Sequence, residues 1–359
     1  MQFSRRDAGP IGTTSWDHDA PRHMRAREQS VQYMANIGCL VAATIALLSP
    51  TANAAAEDQL KIVIDQRGPW NLAAPELGQQ AGIFTKHGII LDLKYSEADK
   101  EAVVAHNADI GLGIDVMEVL RAYATKGAPV RIIGANMTGS VNYWYVATSS
   151  PIKTVKDITG RTIAYSRSGE SSQYDVFDLM DQYRVKARPV LTGGEAATFN
   201  QVISGKIDVG WATAPFGFDA IEHDQIRIVA KSQDISKIRV KTTTVMIANA
   251  DMVATRKEVL TRFLQAYRET VDWMYSDPAA PKAYANFAGL SEGVARRLRD
   301  EFFKKEMLSP DNIIGLSGIV KDAAKLKYIV TPLSKKQLSE LIQITAPAKA
   351  SGWFRIFSP

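Results

Sequence analysis

Short aliphatic runs alternate with helical stretches along most of this chain, and that rhythm limits its possible folds more than composition does. Leu60–Ile64 reads as a strand, closed by Gly68 and Pro69. A helical stretch through Ala73 and Leu77 follows and stops near Gly82. Ile89, Leu91, Leu93 and Tyr95 recur at every second position, the period of a strand. Residues 98–106 read as helical, 109–113 as a buried strand, 116–123 as helical and 130–133 as a further strand. After Pro151 the rhythm restarts, with strands at 162–165, 207–211 and 226–230 and helices at 171–183 and 195–204. An extended Thr/Val-rich segment at 240–248 follows, and the rest is helical almost to the end. There, Val259, Phe263, Tyr267 and Met274 form a buried stripe, and Thr255–Glu258 and Ser334–Gln337 have capping-box spacing. Such alternation predicts βαβ units and mostly parallel sheets covered on both faces.

Two such units with a helical tail predict an α/β protein of two lobes. Residues 55–142 and 246–359 form the first lobe and 143–245 the second. Tyr143–Thr148 going out and Val240–Ala248 coming back read as the two crossings of a hinge that lets the lobes close on a ligand. Ligands in open α/β sheets sit beyond the carboxyl ends of the strands, so the loops there are the ones to inspect.

Ile37–Leu48 is a twelve-residue apolar run, preceded by Arg25 and Arg27 and followed by Ala52-Asn53-Ala54. It is too short for a membrane span, which needs roughly 20 residues, but it fits the core of a signal peptide. Residues 1–54 are therefore expected to be a signal peptide with an N-terminal extension, and the product a periplasmic protein. The one cysteine, Cys39, falls in that leader, leaving the exported chain neither disulfide nor thiol nucleophile.

The 43 Lys and Arg exceed the 38 Asp and Glu, for a net charge of +5. From Lys282 onward the balance is 13 basic to 7 acidic residues, on helical stretches without interleaved stacking aromatics. That pattern is a solvated helix face, and no nucleic-acid partner is expected. No Gly-x-Ser-x-Gly elbow, His-Glu-x-x-His helix or Walker loop occurs. His87, His106 and His223 are isolated in sequence, so no catalytic residue, metal or cofactor is expected.

Four phrases carry a resemblance. They are Gln80–Leu93 (QAGIFTKHGIILDL), Ala108–Gly113 (ADIGLG), Val155–Ala164 running into Ser168–Ser172, and Phe199–Pro215 (FNQVISGKIDVGWATAP). In this order across 60–345 the chain resembles the periplasmic solute-binding proteins of bacterial ABC importers, in the nitrate, sulfonate, taurine and thiamine-precursor branch. The resemblance implies a type II periplasmic-binding-protein fold, with a mostly parallel sheet in each lobe. It also implies a monomer that carries a small organic ligand to an ABC permease and its ATPase. An enzyme is the alternative, since the branch also resembles fungal pyrimidine synthases that share the fold and use a cysteine-rich iron site. The lack of cysteine in the exported chain argues against it.

Matching the family's ligand loops to this sequence gives the candidate site. The first-strand loop holds Arg67, Pro69, Trp70 and Asn71, where Trp70 either stacks on a planar ligand or plugs the lobe edge. Asp115 either faces ligand or caps the helix it opens. Ser168, Gly169, Glu170, Ser171 and Ser172 enter a helix whose N-terminus favours an anion, although Glu170 could fill that place itself. Trp211, Thr213 and Pro215 lie on the next strand-end loop, and Lys241, Thr242 and Thr243 at the return crossing. On the outgoing crossing, Tyr143 and Tyr145 share one face and Trp144 takes the other, so at most one of those faces meets the ligand.

Overall fold

The computed structural model describes residues 57–96, 98–167 and 171–345. The leader with Cys39, and the loop residues Ser168, Gly169 and Glu170, lie outside the described residues. Among these residues the strands gather into a five-stranded sheet, a three-stranded sheet and a two-stranded pair. The first has the order β2 (Ile89–Tyr95), β1 (Asp58–Ile64), β3 (Ile110–Asp115), β10 (Thr242–Asn249), β4 (Val130–Thr138). β1 runs parallel to β2, from Asp58 opposite Ile89 to Ile64 opposite Tyr95, and parallel to β3. β10 enters between β3 and β4, antiparallel to both.

In the second sheet, β5 (Asn142–Ala147) is the central strand, antiparallel to β8 (Gly210–Thr213) and to β9 (Ile226–Lys231). β6 (Thr162–Tyr165) pairs in parallel with β7 (Arg188–Leu191). A parallel bridge between Ile163 and Val209 ties this pair to the strand leading into β8.

The hydrophobic pattern accounts for the layers. Leu60, Ile62 and Ile64 of β1 point to one core and Val63 to another, because helices cover both faces of the first sheet. On one face lies the helix Lys257–Ser276, whose Val259, Phe263, Tyr267 and Met274 are buried as their helical spacing requires. It packs on the helix Ala74–Gln80 closely enough that a Cβ on Gly78 would fall 2.2 Å from Thr270 Oγ1. On the other face Val116, Val119 and Leu120 of the helix Val116–Lys126 pack with Ile114, Val245 and Ile247.

Three expectations change. The three-stranded sheet is antiparallel throughout, because β5 meets β8 and β9 head to tail, so the mostly parallel sheet expected in the second lobe is confined there to the β6–β7 pair and its bridge. The segments read as crossings are both central strands: Tyr143, Trp144 and Tyr145 are buried in β5, and 242–249 is the inserted strand β10. The second-lobe boundary read at residue 245 therefore falls inside a strand of the first sheet. The chain passes between sheets at Gly139–Val141 and Ser232–Lys241 instead. The capping box at Thr255 does not form either, because Thr255 ends the short helix Ala250–Thr255 and its hydroxyl donates back to the Asp251 carbonyl. The box at Ser334 and Gln337 forms as expected.

Candidate functional site

On either side of the first crossing the strand ends hold buried polar side chains, hydrogen-bonded within each side. On the first-sheet side Asn136 is fully buried near the end of β4. Its Nδ2 donates to the Asn71 carbonyl at 2.8 Å and to the Tyr267 hydroxyl at 3.2 Å. Its Oδ1 accepts from Asn71 Nδ2 at 3.1 Å and from the Thr244 hydroxyl at 2.9 Å. Thr138 and Thr242 join their hydroxyls at 3.0 Å across the β4–β10 pair.

Six residues beyond Asn136, Asn142 opens β5 and repeats the arrangement for the second sheet. Its Nδ2 donates to Asp175 Oδ2 at 2.9 Å, and its Oδ1 accepts from the Thr213 hydroxyl at 2.8 Å. The Thr213 backbone N–H donates to Glu195 Oε1 at 2.6 Å. Thr213 thus sits between two carboxyl groups, one reached directly and one through an amide. Burial pushes the Asp175 carboxyl up to about 7, against the opposing pull of its hydrogen bonds from Asn142 and Ser140. Burial also raises Glu195, with the Thr213 hydrogen bonds opposing it.

Several predicted residues lie in this network or beside it. Asn71, Thr213 and Thr242 belong to it. Ser172, in the first turn of the helix Ser171–Tyr183, is buried, and its Oγ accepts from the N–H of Ser166, just past β6, at 2.9 Å. Ser171 opens the helix Ser171–Tyr183. Pro215 is half-buried just past β8, after a cis peptide bond.

Others are engaged in contacts within the protein. Trp70 is fully enclosed, donates its indole N–H to the Tyr275 hydroxyl at 3.2 Å and meets Tyr284 edge-on at 4.6 Å. That enclosure is what the plug, of the two readings of Trp70, requires. Asp115 caps its helix, accepting from the N–H groups of Met117 at 2.8 Å and Glu118 at 3.1 Å. Tyr143 and Trp144 are both buried, so neither face of β5 is open there. Tyr143 donates to the Phe216 carbonyl. Trp211 is 8% exposed, and its indole N–H, like that of Trp144, is buried without a hydrogen-bond partner among the described residues. Arg67 bonds Glu76 at 2.9 Å and lies 4.3 Å over the Phe287 ring, while Lys241 pairs with Asp322 at 2.6 Å.

Asn136, Asn142, Asp175 and Glu195 were missed in the sequence. A signal existed for Asp175, since Ser172, Asp175, Val176 and Leu179 fall on one helical stripe and a carboxylate there must be buried. Two surface hollows lie elsewhere. One, of about 450 Å³, lies between β1, β2 and the helix Asp99–Val104 and is lined by Lys61, Asp92 and Lys94 among others. The other, of about 310 Å³, is lined by Phe199, Phe216, Asp219 and His223. Neither contains a predicted site residue, and the bonded strand-end groups are the stronger candidate because both sheets contribute to them. Among the described residues no three His, Cys, Asp or Glu side chains are grouped to hold a metal, and no helix is long and apolar enough to cross a membrane.

Solved structures show the same fold. The putative periplasmic sulfonate-binding protein SsuA of Methylobacillus flagellatus KT is 16% identical, with a TM-score of 0.63, over 80% of this chain and 92% of that one. The periplasmic aliphatic sulphonate binding protein SsuA of Escherichia coli is 17% identical, with a TM-score of 0.62, over 84% and 97%. The desulfurization enzyme DSZB is 15% identical, with a TM-score of 0.54, over 80% and 96%, so both binding proteins and an enzyme share the architecture. No curated protein matches the chain in sequence. At these identities the likeness establishes an α/β periplasmic-binding-protein fold. The family follows from the sequence itself: residues 72–280, more than half of the chain, match the NMT1/THI5-like description, and the protein belongs to that family.

Proposed function

We propose that this protein is an extracytoplasmic solute-binding protein that captures a small organic molecule between its two sheets and delivers it to an ABC importer. The ligand classes are a sulfonate, nitrate, a carboxylate or an aromatic or heterocyclic compound. The observation that carries the reading is the pair of amide-centred networks, Asn71–Asn136 and Asp175–Asn142–Thr213, on the two sides of one crossing. A molecule contacting both would couple binding to the angle between the sheets, which is what a permease can sense. The Ile37–Leu48 core and Ala52-Asn-Ala54 support export through a cleaved leader. Working as a monomer without cofactor, the protein would have the permease and ATPase as its partners.

DSZB keeps a second reading, catalysis, in play. Against it stands the lone cysteine at position 39 and the absence of a hydrolase motif. The test is a thermal-shift screen with taurine, alkanesulfonates, nitrate, carboxylates and heteroaromatics, followed by recovery of each stabilising compound after long incubation. Ligand at 100 times its Kd stabilises the folded state by about 2.7 kcal/mol. Recovery of the compound unchanged supports the binder. Conversion to product establishes the enzyme.

A further inference from the structure

Besides the two covalent crossings, a third stretch of chain runs from one sheet to the other. The helix Glu292–Arg297 gives way to a π-helical turn at Leu298–Phe302, closed by a hydrogen bond from the Phe303 N–H to the Leu298 carbonyl at 3.0 Å. Such turns are rare and re-aim the side chains that follow. Here the turn delivers Phe302, fully buried, onto the second sheet, 5.7 Å from the Tyr143 ring and 5.2 Å from Phe218. Lys231 Nζ sits 4.3 Å over the Phe302 ring and also pairs with Glu301 at 3.2 Å.

These contacts fall at the exits of both crossings. Tyr143 lies two residues beyond Gly139–Val141, and Lys231 immediately precedes Ser232–Lys241. Gln233, buried within the return crossing, donates to the Phe302 carbonyl. Ser232 fastens the crossings together, its hydroxyl donating to the Ser140 carbonyl at 2.7 Å.

The same stretch then grips the first sheet. The Phe303 carbonyl accepts from the Tyr275 hydroxyl at 2.8 Å, and Pro310 accepts from the Ala135 N–H of β4 at 3.0 Å. Met307 packs beside Gly139, where an added Cβ would lie 3.4 Å from the methionine methyl group. Gly139 has φ +90°, so the crossing bends there in a conformation that other residues rarely adopt.

We infer that Leu298–Pro310 is a non-covalent splint laid along the connection between the sheets, with Phe302 as its anchor on the second sheet and the Tyr275–Phe303 and Ala135–Pro310 hydrogen bonds as its anchors on the first. Any change in the angle between the sheets must shear the Phe302 contacts. The splint therefore sets the resting angle and the fraction of molecules ready to bind, and an apparent Kd scales inversely with that fraction.

Amide hydrogen exchange on the ligand-free full-length protein tests this. Phe302→Leu shortens the anchor, and Phe263→Leu, in the first-sheet core, serves as a matched loss of packing. In Phe302→Leu, peptides covering 139–142 and 232–241 should exchange about tenfold faster or more, while those from β1 and β3 keep wild-type rates. Phe263→Leu should not produce that local pattern. Gln233→Ala, which removes only the bond to the Phe302 carbonyl, should move the same peptides in the same direction by less, and it decides the matter if Phe302→Leu does not fold. Unchanged exchange at the crossings, or an equal rise everywhere, would overturn the splint and leave Phe302 as ordinary core.

Discussion

The hydroxyl of Thr213, at the end of β8, donates to Oδ1 of Asn142, the first residue of β5, at 2.8 Å. This bond joins facing ends of two paired strands of the second sheet, right after the chain's first crossing. Its neighbours extend it to Asp175 and Glu195. A half-exposed threonine with its hydroxyl and its N–H both committed inward is a rigid platform rather than a free donor. Rigid positioning of this kind limits what a ligand must order when it binds.

Thr213→Val keeps the shape and removes the hydroxyl, leaving the buried Asn142 Oδ1 without its donor. The expected cost is about 1–3 kcal/mol of folding stability. Urea unfolding followed by tryptophan fluorescence measures it, and an unchanged midpoint would show that the bond does not matter.

Asp175 makes stability depend on pH in an unusual direction. Its carboxyl titrates near 7 in the folded protein and at its ordinary value of 3.8 once unfolded, so between those limits the folded state holds more protons. The contribution of this group is favourable at low pH, falls as pH rises from about 4 to about 7, and stays lost above that. Asp178 raises this titration and Lys241 lowers it, and both remain in the variant. Asp175→Asn should therefore gain stability relative to wild type as pH rises from 5 to 8, read by thermal melts at both values. A difference independent of pH would contradict the assignment.

Trp70→Ala empties a fully buried site and breaks the bond to Tyr275. The expected loss is about 3–5 kcal/mol, comparable to that for Phe263→Ala in the helical stripe. The first-strand loop alone also allowed a ligand-stacking tryptophan, whose removal would spare the unliganded fold. Chemical denaturation separates the two, since retained stability would return Trp70 to the ligand.

What the sequence made legible follows the range of the forces involved. β2 was readable residue by residue because period-two burial is local, and so was the helix Val116–Lys126 as far as Tyr123, with capping one of the two readings of Asp115. The crossings were misread because a central strand buried on both faces, such as Tyr143–Val146, has the same extended, apolar look as a linking strand. The candidate network was the least visible part. Asn71 meets Asn136, and Asn142 meets Asp175 and Thr213, over separations of 65, 33 and 71 residues, and no local pattern announces such pairings. Thr255 failed for the opposite reason: its local motif was sound, but the preceding helix had already taken that residue.

The central claim is that ligand binds against the strand-end networks of both sheets. Calorimetric titration of wild type, Asn71→Ala and Thr213→Val with taurine, and with any other compound that raises the melting temperature, tests it most directly. The account predicts one site per chain in the wild type and binding about 5–150-fold weaker in each variant, the equivalent of losing roughly 1–3 kcal/mol from either side of the crossing. Wild-type affinity in both variants, for a compound that the wild type binds, would contradict it.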